Sequence, residues 1–416
     1  MIIKLYNYGI SITGQLSQAV LNFGLFFVLI GILSVPELGL YSFIMMLTGF
    51  AGPLSNAACA TQVSVYQDGN KPNKTYMYDR MFCQINTLLA IAGGIVTALV
   101  AMGFYHDAML GIPIFLFTFF YFIRHYKRAY EFAKMRHEMA TATDLVYVST
   151  AIVMLFAYYW HYKTLEIHAI FSILATALFF SIIIGKDFIR IFMRSLEHSY
   201  LKLYRKIWKS DTRWNLLGTV LAEVTANINS YLIMGIKGAA AFAPVTAAQM
   251  PFRGIGIIQS ALGSFERPRI TAAMLTGNRA ELKSITKFYN GVVMLALVML
   301  AGLVTVFWDW TFTHIYKSKF DSHELYIMFL LWTAVTLVRV FSSFANLELQ
   351  AMREFKGLGM VTGYTAIIST VASLGFLVAF GTAASIGGIL LGELAMLYAI
   401  RRMRNKAIKQ YFPKDL

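Results

Sequence analysis

Twelve apolar stretches, most of them about as long as the 20 residues a helix needs to cross a bilayer, run through the 416 residues. In hydrocarbon every backbone N–H and C=O must find its partner inside its own segment, so stretches of this length fold as helices. They lie at 9–33, 39–66, 82–104, 109–125, 142–160, 167–185, 213–236, 240–265, 288–308, 323–347, 357–379 and 382–400, with boundaries good to a few residues. The fold class expected is an all-α integral membrane protein of twelve transmembrane helices. A chain that is 58% hydrophobic and 14% charged has too few polar side chains to cover a soluble globule of this size.

The charges fix the orientation. With those boundaries, 30 of the 36 Lys and Arg fall on one side of the bilayer, 4 on the other and 2 inside spans. Basic residues stay on the cytoplasmic side, so both termini are expected there, in a bacterial inner-membrane topology. The net charge of +15 is accounted for by anionic lipid rather than by nucleic acid, because the cations sit in short inward connections. The first stretch begins about nine residues from Met1 and has no A-x-A-like site, so it reads as an uncleaved first helix. Cys59 and Cys83 imply no disulfide framework.

The outward connections are short: Ser34-Val35-Pro36-Glu37-Leu38, Tyr105-His106-Asp107, His161 to Glu166, the turn at Lys237, and a longer one at 309–322. Five of the six Trp (Trp160, Trp208, Trp214, Trp308, Trp310) fall at span ends, where an amphipathic ring prefers to sit. Between spans six and seven, Phe188, Phe192, Leu196, Tyr200, Leu203 and Tyr204 recur at helical spacing opposite Arg190, Arg194, Lys202, Arg205, Lys206 and Lys209, predicting an interfacial helix on the inner leaflet. The expected organisation is a six-helix bundle over 1–185, a basic amphipathic linker over 186–212, a second six-helix bundle over 213–400 and a basic tail over 401–416.

Polar residues inside spans point to function. Asn7, Ser11, Gln15, Gln18 and Asn22 share one face of the first span, and Thr212, Asn215, Thr219, Glu223, Asn227 and Ser230 share one face of the seventh. The opening helix of each half thus carries a wet stripe. Such stripes serve either as hydrogen-bonding glue between helices or as the lining of a water-filled cavity between the halves. Arg253 lies about 20 Å along the helix from Glu266, Glu223 about 15 Å beyond Arg213, and Arg339 about 22 Å from Glu324, which places all three near the midplane. A lone charge at that depth costs about 2.5–3.5 kcal/mol on insertion scales, so these residues should face a cavity or a partner.

Two readings follow. Glu223 and Arg253 can form a structural ion pair, or Arg253 and Arg339 can hold an anionic group in transit while Glu223, the only carboxylate near the midplane on a wet stripe, balances or protonates. Gln249 and Ser260 share the face of Arg253, and Thr336, Ser343 and Asn346 that of Arg339. Glu393, alone in the twelfth span, is expected to be structural, snorkelling or bonding a neighbour. Gly388 and Gly392 form a small-xxx-small packing face. Nothing resembles a phosphate loop or a metal-ligand spacing, and the outward loops leave no room for an external catalytic domain, so no enzyme, cofactor or metal is expected.

Asn22-Phe23-Gly24 through Leu33, followed by Pro36-Glu37-Leu38-Gly39-Leu40-Tyr41-Ser42, resembles the first helix, acidic-Gly-x-Tyr turn and second helix of the multidrug/oligosaccharidyl-lipid/polysaccharide (MOP) exporter superfamily, and within it the Wzx-type flippases. Arg213-Trp214, Pro251 and Arg267-Pro268-Arg269 are similar to landmarks of that family's second half. The resemblance implies a V-shaped pair of six-helix bundles that alternates access and flips a polyprenyl-pyrophosphate-linked glycan, such as an O-antigen or exopolysaccharide repeat unit. On that scheme Arg253 and Arg339 contact the pyrophosphate. Gln15, Gln18, Asn22, Asn227 and Gln249 line the glycan path, and Glu223 couples transport to H+ or Na+. Polysaccharide assembly proteins and membrane lipids are the implied partners. The alternatives in the same fold are a MATE-like exporter of organic cations or drugs, which should show an acidic cavity, and a lipid II flippase, whose usual count is fourteen spans. From another class, a membrane glycan polymerase should show a large external loop.

Overall fold

The computed structural model describes residues 2–60, 63, 72–105, 107–197, 199–352 and 354–411. The side chains of Asn7, Ser11, Gln15, Trp214, Ser260, Arg267 and Pro268 lie outside the described residues, so the expectations placed on them rest on sequence. Among the described residues there is no strand. Twelve long helices follow one another as α1 (Ile2–Ile32), α2 (Val35–Gly49), α3 (Pro72–Tyr105), α4 (Gly111–Ala133), α5 (His137–Tyr162), α6 (Ile167–Ile183), and, after two short helices α7 (Lys186–Ser195) and α8 (Leu201–Ile207), α9 (Arg213–Lys237), α10 (Ala239–Leu275), α11 (Arg279–Val306), α12 (Ser322–Ala351), α13 (Phe355–Phe380) and α14 (Thr382–Tyr411). Each apolar stretch falls on its own helix. Eight helices are long and apolar enough to cross a membrane by themselves, and two bent pairs bring the number to 10. Of the other two, α1 contributes the shorter apolar stretch Leu16–Ile32 among the described residues, and α10 is not counted.

Helix ends are set by local chemistry. Ser34 opens α2 with a reciprocal cap, its hydroxyl accepting from Glu37 N and the Glu37 carboxylate accepting from Ser34 N at 2.8 Å. Past Gly49 the helix resumes at Ala51–Ser55 and opens into a π turn at Asn56–Ala60, where Pro53 cannot donate to the ladder. The Tyr105 hydroxyl donates to Glu37 at 3.2 Å, joining two connections expected on the outer side. At the other end, Arg136 pairs with Glu131 at 2.8 Å and Asp187 at 2.7 Å, while Lys134 pairs with Asp79 at 2.8 Å. Those contacts join the α3 start, the α4–α5 turn and the α7 start, all expected on the inner side. The side assignments read from charge therefore agree with which connections meet.

The linker differs from the single interfacial helix expected. Gly185, at φ +91°, takes a backbone conformation open to glycine, and α7 turns 102° from α6. The chain breaks before α8, and its apolar residues divide between two surfaces. Phe188, Ile191, Tyr204 and Ile207 are buried in a core with Ala58, Phe82, Tyr126 and Tyr130. Met193, Leu196, Leu201 and Trp208 stay exposed. The Tyr204 hydroxyl donates to Ala58 O at 3.0 Å, and burial pushes its phenol pKa up, so it remains a neutral donor. Helical spacing alone could not separate residues that meet protein from residues that meet lipid.

The chain forms two compact units, Met1–Glu223 and Val224–Leu416, with the linker packed on the first. In the second unit α13 and α14 approach at Gly388 and Gly392: a Cβ at Gly388 would lie 2.2 Å from Ser373 N, and one at Gly392 2.5 Å from Ser369 Cβ. The small-xxx-small face does what its spacing implied. Lower on α14, Arg404 forks onto the fully buried Glu348 of α12, with Nη2 to Oε1 at 2.9 Å.

Candidate functional site

In the first unit one cluster of ionisable groups is buried and bound at close range. Arg124 and Arg128 lie four residues apart on α4 and therefore on one face. Both reach Asp144 of α5: Arg124 Nη2 bonds Oδ1, and Arg128 Nε bonds Oδ2 at 2.9 Å. The Arg124 and Asp144 side chains are 4% and 1% exposed. Arg124 also stacks over the Tyr147 ring at 4.6 Å and donates to Gln18 Oε1 at 3.4 Å. Gly14, one helical turn before Gln18, lies so close that a Cβ there would be 2.7 Å from Asp144 Oδ2. The wet stripe of α1 thus leans on this cluster. Two guanidiniums against one carboxylate leave an excess positive charge. Beside it, Lys127, fully buried, donates to the carbonyls of Ser181 at 2.9 Å, Ile182 at 3.1 Å and Ile184, capping the end of α6.

In the second unit the arrangement is open. Arg339 of α12 donates through Nε to Glu393 Oε1 of α14 at 2.7 Å, and their side chains are 37% and 20% exposed. Among the described residues nothing else binds the two Nη atoms, so the outer edge of the guanidinium fork is available. Thr336, Ser343 and Asn346, on the same face, are buried or half-buried, whereas Leu330, Leu337 and Phe341 are exposed. The polar face of α12 turns into the protein and its apolar face outward. The helix α10 packs beside it, with Phe252 against Phe329 at 5.1 Å and Gln259 donating to Ser343 at 3.3 Å. Tyr289 of α11 closes that contact, its hydroxyl 3.4 Å from both Gln259 O and Ser343 Oγ.

The residues expected to form the site distribute as follows. Arg339 is paired with Glu393 of α14. Arg253 is exposed on α10 between the Phe252 and Gln259 contacts, and Gln249 is half-buried one turn earlier. Asn22 and Asn227 are half-buried, and Gln18 is bound to Arg124. Glu223 is half-buried and ends the first unit, while Arg253 belongs to the second. The sequence reading misses the Arg124–Asp144–Arg128 cluster, because the fourth span expected from hydropathy ends at 125 and Arg128 falls beyond it. The i,i+4 repeats Arg124/Arg128 and Lys127/Glu131 were the available signal, because they continue the helix past that boundary.

No family model matches this sequence and no curated protein matches it. The fold is nevertheless found among solved structures. The chain is similar to an inward-facing multidrug resistance MATE family transporter of the MOP superfamily (TM-score 0.64, 13% identity, covering 96% of each chain). It is similar to the lipid II flippase MurJ (TM-score 0.67, 10% identity, covering 97% of this chain and 89% of that one). A third is a MOP superfamily transporter from Pyrococcus furiosus, described by a binding pocket of reversed polarity that suggests a different function (TM-score 0.54, 13% identity, 96% and 94% covered). Apolar helices enough for 8 to 10 crossings make the chain a multi-pass membrane protein, and its fold is that of the MOP superfamily transporters.

Proposed function

We propose that the protein is a flippase that moves a polyprenyl-pyrophosphate-linked oligosaccharide from the inner to the outer leaflet of a bacterial cytoplasmic membrane, with both termini in the cytoplasm. The observation that carries this reading is the Arg339 fork, half-exposed on a polar helix face, with nothing bound at its Nη edge among the described residues. A guanidinium edge of that kind fits two phosphate oxygens better than it fits a cation. Arg253 on the neighbouring helix adds positive charge, and Glu223 serves as a coupling carboxylate for H+ or Na+. Gln18, Asn22, Asn227 and Gln249 offer the hydrogen bonds a glycan needs, together with Gln15. The reversed pocket polarity described for the P. furiosus transporter supports cavity charge as the property that divides cargoes within this fold. MurJ supports a lipid-linked cargo.

The test is a deletion strain assayed for lipid-linked oligosaccharide stranded on the cytoplasmic leaflet. Wild-type protein should clear it, and Arg339→Ala and Arg253→Ala should not, at equal membrane abundance, while Arg253→Lys retains part of the activity. Full complementation by both Ala variants removes the phosphate role. Drug efflux with no effect on lipid-linked glycan would instead establish the MATE-like reading, which the solved MATE structures favour.

A further inference from the structure

The linker after α6 combines exposed apolar side chains with cations that lack acidic partners. We propose that α7, α8 and the start of α3 form a docking surface for anionic phospholipid of the inner leaflet. A headgroup phosphate sits between Arg80 and Arg194, and the acyl chains pack on Met193, Leu196, Leu201 and Trp208.

The direction of the chain and the pattern of exposure support this. Because α7 leaves α6 at 102°, it runs nearly along the membrane surface where α6 crosses the bilayer. Residues 186–209 hold seven Lys and Arg against Asp187 and Glu197, and Asp187 is already bound by Arg136 at 2.7 Å. On α7, Phe188 and Ile191 are buried, while Met193 is exposed between the exposed Arg190 and Arg194. On α8, Leu201, Arg205 and Trp208 share one face at helical spacing. All three are exposed, and Tyr204 and Ile207 are buried behind them. Apolar groups interleaved with long basic side chains suit the headgroup boundary, where acyl chains take the apolar atoms and lipid phosphates take the cations.

Two arginines from separate elements define the headgroup position. Arg80 of α3 lies over the Tyr76 ring at 4.2 Å, and Arg194 of α7 donates to the Tyr76 hydroxyl at 3.1 Å. Arg80 Nη1 also reaches the Tyr200 hydroxyl at 3.5 Å. Gln84, one turn along α3, ties the linker in place by donating to Ser195 O at 3.1 Å and accepting from Tyr200 N at 2.8 Å. Among the described residues neither arginine is paired with a carboxylate, and the buried Arg80 Nε has no hydrogen-bond partner. Asp79, next in sequence to Arg80, is held by Lys134 instead. Two guanidiniums gathered on phenol oxygens keep their charge uncompensated, and a phosphate brings both the charge and the acceptor oxygens that they lack. The cations spread over three elements and are accompanied by apolar side chains on both linker helices. That plan fits several phospholipids side by side better than one pyrophosphate headgroup.

The experiment titrates the full-length protein in detergent with dioleoyl phosphatidylglycerol or dioleoyl phosphatidylcholine and counts retained lipids by native mass spectrometry. Wild-type protein should prefer phosphatidylglycerol, and the preference should weaken about fivefold for each cation removed in Arg80→Gln and Arg194→Gln. Lys283→Gln and Lys287→Gln, at exposed cations of α11, should leave it unchanged. Equal losses from those two variants would assign the preference to net charge and overturn the site. Equal retention of both lipids by the wild type overturns the proposal without any variant. Displacement of phosphatidylglycerol by geranylgeranyl pyrophosphate at equal concentration would make the surface a cargo site and overturn the phospholipid assignment. A second measurement stands if an arginine variant misfolds: in nanodiscs, phosphatidylglycerol brominated on its acyl chains should quench wild-type fluorescence by a larger fraction than it quenches Trp208→Phe. Equal fractions would place Trp208 away from the acyl chains and overturn the docking surface.

Discussion

The two units treat the same chemistry, arginine against a carboxylate between helices, in opposite ways. In the first, Arg124 and Asp144 are 4% and 1% exposed and Arg128 joins them, so the carboxylate is shared and sealed. In the second, Arg339 and Glu393 are 37% and 20% exposed, and among the described residues one nitrogen of the guanidinium is engaged. Burial turns the first contact into a fixed part of the fold, since removing Asp144 strands the buried Arg124 charge. Exposure leaves the second exchangeable, since water or a ligand can replace the partner. An ionisable residue in a span thus becomes a candidate for function when its partner can be displaced.

The sharpest way to break the comparison is at Asp144. Asp144→Asn removes the counter-ion of the buried Arg124 and the half-buried Arg128, and breaking a buried pair costs about 3–5 kcal/mol. The expected outcome is protein that is degraded or extracts as aggregate, seen by size-exclusion profile and thermal melting of the detergent-solubilised material. A well-folded Asp144→Asn protein that has lost only transport would show that the first cluster, too, is a working site.

Next in size is the packing that holds Glu393 in place. Gly388→Ala sets a Cβ against the backbone of Ser373, and overpacking of this kind costs about 1–3 kcal/mol. Gly375→Ala on α13 meets nothing within 4 Å and should be neutral or slightly stabilising. Melting temperatures of the two variants should move in opposite directions or differ clearly. Equal shifts would mean that α13 and α14 do not pack through Gly388.

Removing either member of the exposed pair should matter less to stability. Arg339→Gln and Glu393→Gln should each destabilise the fold less than Asp144→Asn does, because the partner left behind keeps partial exposure, while the Arg339 variant loses transport. If Arg339→Gln melts as early as Asp144→Asn, the contrast between the units disappears and both pairs are structural.

Much of this architecture was legible in the sequence. Hydropathy places each of the twelve long helices, and the Gly388–Gly392 face follows from residue spacing alone, whereas Ser34 and Glu37, read as part of a connection, turn out to cap α2. What was not legible is who meets whom across helices. Arg339 and Glu393 are 54 positions apart in sequence, and nothing in either segment encodes the rotation of α12 and α14 that makes them neighbours. The linker shows a second limit: an amphipathic pattern says that one face is apolar, and the division of that face between core and lipid is decided by the turn at Gly185. Span boundaries were the third, because a helix that keeps its hydrogen bonds past the last apolar residue can carry Arg124 and Arg128 into the protein, where a loop would have left them in water.

The smallest effect is expected at Gln18, and it sharpens the comparison most finely. The family resemblance implies a glycan path for Gln18, yet its side-chain oxygen accepts from Arg124 at 3.4 Å, a long bond at the edge of the buried cluster. If it serves the cluster, Gln18→Ala should cost about 0.5–1.5 kcal/mol, the usual net worth of such a bond, and transport should follow abundance. If it serves the glycan, stability should stay level while the apparent affinity for the lipid-linked cargo falls. Gln18→Glu separates the two again. A carboxylate there would strengthen the contact with Arg124 and use the excess positive charge of the first unit, so a structural Gln18 predicts a higher melting temperature, whereas a glycan contact predicts impaired transport at unchanged stability. Flipping in proteoliposomes, measured beside thermal melting of the same preparations, decides whether the wet stripe of α1 belongs to the sealed unit or to the path of the substrate.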